Sequence, residues 1–217
     1  MKNVFIETRY SGKLDFPLEL VDKLPNKLML GCSVQFLDQL AELKELLESS
    51  SKKITLFQSQ HARTPGQVLG CDLIKFDGDA FLYLGDGLFH PSALGYDNDK
   101  PVFIYNPFTK QLTELDKGYW ARVKKRKQAL QAKLLTSTNV GILVTRKPGQ
   151  NQSQAAEIVR EKLEAKGKKV FVFLADEINT QKLEDFNFID VWVNSACPRI
   201  VEDFPCLNLG DLSEIGF

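Results

Sequence analysis

Apolar positions along the chain follow two rhythms. Short continuous runs occur at Lys27–Cys32, Ile54–Phe57, Ala80–Leu84, Pro101–Tyr105, Val140–Thr145, Lys169–Ala175 and Ile189–Asn194. Their length and their content of branched and aromatic residues predict buried strands. Val4–Thr8 predicts a short first strand, and Gln111–Leu115 alternates weakly. Between the runs the period lengthens. Phe36, Leu40, Leu43 and Leu47 recur at helical spacing around Asp38, Glu42, Lys44 and Glu45, and Ser49–Ser51 ends that amphipathic helix. Tyr119–Leu135 predicts a long basic helix. Ala155, Ile158, Val159 and Leu163 mark the inner face of another, with Asn151 and Gln154 spaced like a capping box and Gly167 in the C′ position. Asn179–Phe186 predicts a short helix before the last strand.

Strands alternating with helices through short links predict an α/β fold, because parallel neighbours need crossover connections. Gly118 is the predicted domain boundary. It gives two similar small domains, 1–118 and 119–217, each a mainly parallel sheet flanked by helices. Right-handed crossovers place the strand ends of such a sheet on a common edge, where open α/β sheets bind ligands.

Composition narrows the classes of function. The 217 residues are 43% hydrophobic and 26% charged, as expected of a globular protein with a substantial core. Lys+Arg and Asp+Glu are both 28, which argues against a polyanion binder relying on overall charge. No apolar run reaches membrane-spanning length, and residues 1–20 lack a signal-peptide layout, so the expected compartment is the cytoplasm, without membrane contact. Arg122, Lys124, Lys125, Arg126, Lys127 and Lys133 form either a solvated helix face or a docking surface for an acidic or RNA-containing partner.

The candidate chemistry lies in the cysteines. Cys32, Cys71, Cys197 and Cys206 include no C-x-x-C pair, so a zinc knuckle or thioredoxin motif is unsupported. The strand of Phe188–Asn194 breaks into Ser195-Ala196-Cys197-Pro198-Arg199, which puts Cys197 on a loop at a strand end. Alone, this thiol reads as a packed small hydrophobe or as a ligand. Cys71, His90 and the Lys147–Gln150 turn also follow predicted strands. Thr64-Pro65-Gly66-Gln67 and Lys147-Pro148-Gly149-Gln150 recur once per domain, consistent with a repeated unit. Cys206 has no motif around it; Asp72 and Asp86 read as turn residues. His61 and His90 are candidates for substrate contact or for orienting their loops.

Four ordered segments, Gly66–Cys71, Phe89-His90-Pro91, Lys147–Gln150 and Ala196–Arg199, resemble the diphthamide synthesis family, and the resemblance covers nearly the whole chain. That family transfers the 3-amino-3-carboxypropyl group of S-adenosylmethionine to a histidine of translation elongation factor 2. Its members are archaeal homodimers or eukaryotic two-subunit forms. The resemblance implies three similar α/β domains, each giving one cysteine to a single [4Fe–4S] cluster whose open iron takes the methionyl part of S-adenosylmethionine. It assigns Cys71 to the middle-domain ligand and Cys197 to the last-domain ligand. The family has no cysteine ligand at the place of Cys32, which is a further candidate only because it ends a predicted strand at the same edge, against the reading of a packed core thiol. Gln67, His90, Lys147, Gln150 and Arg199 become candidate S-adenosylmethionine contacts. The chain starts, near Phe5-Ile6-Glu7, where the family's middle domain starts. The third thiolate is therefore expected from a chain carrying the first domain or from a homodimer mate, unless the cluster is lost. An electron donor is expected, and direct nucleic-acid binding is not. An electron-relaying or non-catalytic subunit, or a degenerate homologue with another substrate, is the alternative.

Overall fold

The computed structural model describes residues 6–59, 62–71, 73, 75–96 and 98–217. His61, Asp72 and the first two residues of the expected strand at Val4–Thr8 lie outside that set. Ile6–Thr8 form no strand. The chain divides into two compact units, Met1–Trp120 and Ala121–Phe217.

The first unit contains strands β1 (Lys27–Cys32), β2 (Lys53–Leu56), β3 (Ala80–Leu84), β4 (Val102–Asn106) and β5 (Gln111–Glu114), with helices α1 (Leu37–Ser49) and α2 (Phe89–Gly95). The sheet order is β2-β1-β3-β4-β5, parallel except for β5. Side chains alternate across β3. Leu82 and Leu84 pack with Leu40, Leu43 and Leu47 of α1 on one face, and Phe81 and Tyr83 pack with Leu94 of α2 on the other. The helices after β1 and β3 thus cover opposite faces. The connections after β1 and β3 therefore leave the carboxyl edge toward opposite faces, the switch point at which open sheets usually bind ligands. Burying each such Leu or Phe contributes about 1.5–3 kcal/mol.

The second unit repeats the topology. Helix α3 (Lys117–Thr136) leads into β6 (Asn139–Thr145), α4 (Ser153–Ala165), β7 (Lys169–Ala175), β8 (Val191–Asn194), α5 (Ile200–Asp203), β9 (Cys206–Asn208) and α6 (Leu209–Ser213). The all-parallel order is β7-β6-β8-β9, the arrangement of the four parallel strands of the first unit. Val140, Ile142 and Val144 of β6 meet Ala156 and Leu163 of α4 in its core.

Several local expectations differ. The glycine turn after β3 continues into α2, with Pro91 in its first turn, where the missing N–H costs nothing. The capping box before α4 does not form: Asn151 accepts the Ser153 N–H at 3.0 Å, and Gln152 caps without a side-chain bond. A capping box does form at α6, between Asn208 and Asp211. The basic run of α3 is not one solvated face. Lys127 turns inward to Asp211 (3.4 Å) and Glu214 (3.2 Å), and Arg126 donates to the Val201 and Glu202 carbonyls.

Candidate metal centre

In the first unit, three connections meet at the carboxyl edge of the sheet. The segment after β2 returns to pair with the end of β1: Cys32 N–H donates to the Gly66 carbonyl (2.8 Å), and Val68 N–H to the Cys32 carbonyl (2.8 Å). This bridge holds Gln67 beside Cys32. Farther along the same connection, Gly70 lies against the Phe89 ring so closely that a Cβ there would fall 2.1 Å from it. A side chain at 70 would have to push the exposed Phe89 ring aside. The Gly70–Cys71 turn and the Phe89-His90 turn are therefore in contact. His90 stacks on Tyr83 at 6.2 Å and 14°. The Tyr83 phenol, pushed upward in pKa by burial, hydrogen-bonds Ser33 after β1.

The two thiols at this edge differ. Cys71 is exposed, whereas Cys32 is buried. Burial pushes the Cys32 thiol up to about 12, more than the neighbouring Arg9 charge lowers it. Desolvation disfavours the thiolate, and a metal ligand must be a thiolate.

In the second unit, Cys197 lies on the loop after β8 and is half-buried. Two asparagines hold this loop. The buried Asn194 donates to the Cys197 carbonyl (2.8 Å) and to Asn208 Oδ1 (2.8 Å), and its Oδ1 accepts the Ala196 N–H (3.0 Å). Asn208 donates to the Pro198 carbonyl (3.1 Å). Ser195 donates through both its N–H (2.9 Å) and Oγ (2.7 Å) to the Leu143 carbonyl of β6. Neither asparagine was a candidate in the sequence; the Ser-Ala-Cys-Pro segment drew attention to the thiol, and the fold brings Asn208 back to it.

The Lys147–Gln150 turn follows β6 at the same edge, closed by the Gln150 N–H to the Lys147 carbonyl (3.1 Å). Arg146 binds Asp176 in a fork at 2.8 and 2.9 Å, and Lys147 pairs with Glu177 at 2.9 Å. The Arg199 guanidinium forks onto Glu202. A carboxylate ligand at either cation would have to exchange with an existing acidic partner. Cys206 is buried in β9, and burial pushes its thiol up to about 12.

The topology corrects one equivalence. Thr64–Gln67 follows the second strand of its unit, whereas Lys147–Gln150 follows the first strand of its own. Cys71 belongs to the β2–β3 connection, and Cys197 follows the third strand. The recurring tetrapeptide is therefore not a structural repeat, although the two sheets are. Among the described residues, no three His, Cys, Asp or Glu side chains converge as a metal site.

Each unit is an open α/β sheet that carries one accessible cysteine on a connecting loop, Cys71 in the first and Cys197 in the second. The chain belongs to the diphthamide synthesis family: residues 4–203 match the family model described as "Putative diphthamide synthesis protein". It is 31% identical over 186 residues to 2-(3-amino-3-carboxypropyl)histidine synthase of Pyrococcus horikoshii, covering 84% of this chain and 53% of that one. It is 32% identical over 184 residues to subunit 1 of the Caenorhabditis elegans enzyme, covering 82% and 46%. The crystal structure of Dph2 from P. horikoshii with a 4Fe-4S cluster superposes with a TM-score of 0.75 at 29% identity, covering 91% of this chain and 59% of that one. The chain thus spans about half the length of the relatives it matches.

Proposed function

We propose that the chain supplies part of a [4Fe–4S] site that transfers the 3-amino-3-carboxypropyl group of S-adenosylmethionine to a histidine of translation elongation factor 2. Cys71 and Cys197 are the ligands in this reading. The observation that carries it is the sorting of the thiols: one in each unit is accessible at a sheet's carboxyl edge, and the other two are buried and held protonated. Soft thiolates suit an iron–sulfur cluster. Cys32 has the chemistry of a packing residue and is left out. The third thiolate comes from another chain or copy, and reduction requires an electron donor.

Bound here, the cluster supplies the electron that opens the sulfur–Cγ bond of S-adenosylmethionine. The chain's own residues position and exclude. Asn194 and Asn208 fix the backbone around Cys197, so little ordering remains to be done on binding. His90, stacked on Tyr83 beside the Cys71 turn, offers an imidazole to the methionyl group, as Gln67 and Gln150 offer amides. Arg199 or Lys147 pairs with its carboxylate after releasing Glu202 or Glu177.

Anaerobic reconstitution with iron and sulfide tests this, with the chain alone and with a family member carrying the remaining domain. About four irons per site and release of methylthioadenosine, both abolished by Cys71→Ala or Cys197→Ala and kept in Cys32→Ala, are expected. Iron uptake without methylthioadenosine would assign the chain to an electron-relaying or non-catalytic subunit. No uptake in either setting would overturn both.

A further inference from the structure

The two sheets share a backbone plan at their amino edges but not the side chains placed there. In the second unit, Asp190 precedes β8 and donates its N–H to the Asn139 carbonyl (3.0 Å), and Lys169 at the start of β7 donates its N–H to the Thr138 carbonyl (2.8 Å). The first unit repeats both bonds, from the Asp79 N–H to the Lys27 carbonyl (2.9 Å) and from the Lys53 N–H to the Asn26 carbonyl (2.7 Å). Asn26, Lys27, Lys53 and Asp79 therefore stand where Thr138, Asn139, Lys169 and Asp190 stand, in the same strand register. One oxygen of Asp190 turns back onto the Thr138 and Asn139 N–H groups, at 3.0 and 2.8 Å, and these bonds hold its carboxyl below the ordinary value. Successive backbone N–H groups converging on one oxygen bind anions. Asp79 makes no such bond, and among the described residues no carboxylate accepts from the Asn26 or Lys27 N–H.

Positive charge gathers where that acid is missing. A cavity of about 500 Å³ opens at this edge, and Lys27, Lys53, Thr55, Asp77, Asp79 and Lys100 line it. Lys27 and Lys53 are register partners on strands about 4.8 Å apart, which sets like charges side by side, an unfavourable placement without a counter-ion. Among the described residues neither ammonium is in an ion pair. Lys100 gives one donor to the Phe76 carbonyl (3.2 Å) and has others to spare. We propose that this cavity binds a phosphate monoester of a hydroxylated small molecule, of the sugar phosphate class. The phosphate takes the place that the Asp190 carboxylate fills in the second unit, on the Asn26 and Lys27 N–H groups, and the three lysines neutralise it. Asp77 and Asp79 would repel a bare anion, but they accept hydroxyl hydrogens from the rest of the ester. That selects the ester over inorganic phosphate. The volume is within the range of small-molecule sites. The cavity lies at the amino edge of its sheet and the Cys71 turn at the carboxyl edge, so this site goes beyond the cluster reading and does not depend on it.

The test is a titration of the metal-free chain with ribose-5-phosphate, the backbone amides being followed by NMR. Saturable shifts of the Asn26 and Lys27 amides are expected, while those of Thr138 and Asn139, already closed by Asp190, stay in place. Ribose should give no shift, and inorganic phosphate should bind more weakly. Lys27→Gln and Lys53→Gln should each weaken binding about fivefold. Both side chains are exposed, so circular dichroism should not change. Lys169→Gln, at the equivalent place in the second unit, should bind as wild type does. Asp79→Asn should narrow the gap between the ester and inorganic phosphate. The proposal is overturned by no saturable shift at millimolar concentration, by equal binding of phosphate and its ester, by unchanged affinity in both glutamine variants, or by saturation with an RNA oligonucleotide alone.

Discussion

Asn194 illustrates how much one buried amide can settle. It binds the Cys197 carbonyl, Asn208 and the Ala196 N–H from a position with almost no solvent access. Asn194→Ala removes all three bonds and leaves buried partners unpaired, a loss of about 1–3 kcal/mol. The expected result is a melting point lower by several degrees and faster alkylation of Cys197; an unchanged rate would mean that the loop holds itself. Thiol labelling separates the cysteines directly. Native protein treated with iodoacetamide near pH 8 should label at Cys71 and Cys197, with Cys32 and Cys206 labelled only after denaturation, as read by peptide mass spectrometry. Burial pushes those two thiols up to about 12, so at pH 8 the thiolate fraction is on the order of one in ten thousand.

At the scale of elements, the strands of the second unit are held by fit as well as by hydrogen bonds. Gly141 in β6 faces Trp192 in β8, and a Cβ there would lie 2.5 Å from the indole ring and 3.2 Å from Ile189. Trp192 in turn packs on Phe173, Phe186 and Phe204. Gly141→Ala must therefore displace a locked ring, at a cost of about 1–3 kcal/mol. In a Trp120→Phe background, where Trp192 is the sole indole, denaturant unfolding followed by fluorescence should show an earlier midpoint and a shifted native emission. Most elements were legible because their apolar residues keep a period over several turns or a full strand. Four of the shorter ones were not. α2, α5, β9 and α6 carry too few residues for a period, and tertiary contact holds them. The last capping box was equally hidden, since Asn208 and Asp211 resemble any loop polar pair until α6 exists.

At the scale of the whole molecule, charge sets the response to pH. With 28 residues of each sign, solubility should be lowest near the calculated isoelectric point of 6.7 and recover on either side, as light scattering across a pH series would show. Stability follows a different curve. Asp190 accepts the Asn139 N–H at 2.8 Å and the Thr138 N–H at 3.0 Å, and these bonds hold its carboxyl below the ordinary value of 3.8. A depressed acid stabilises fully above that ordinary value, and the contribution is lost as the pH falls through the lower native one. Asp190→Asn should lower stability at pH 7 by less than the ~1.5–3 kcal/mol of a charge-assisted bond, because the carboxylate meets solvent and screening weakens it. The difference from wild type should close in acid, measured by urea denaturation at each pH.

The sequence by itself determined the α/β class and the positions of the long strands and helices, because hydrophobic periodicity is a local property that each segment carries whole. It also marked Cys71 and Cys197, whose surrounding motifs survive as contiguous letters. Only the tertiary structure decided which cysteines meet solvent, since burial depends on what packs over a residue from elsewhere in the chain. The same holds for Asn194 and Asn208, for the inward turn of Arg126 and Lys127, and for the place of β7 at the edge of its sheet. An apolar strand reads alike in the middle of a sheet and at its margin. Sheet order alone separates the two, and order is fixed by contacts between segments far apart in sequence.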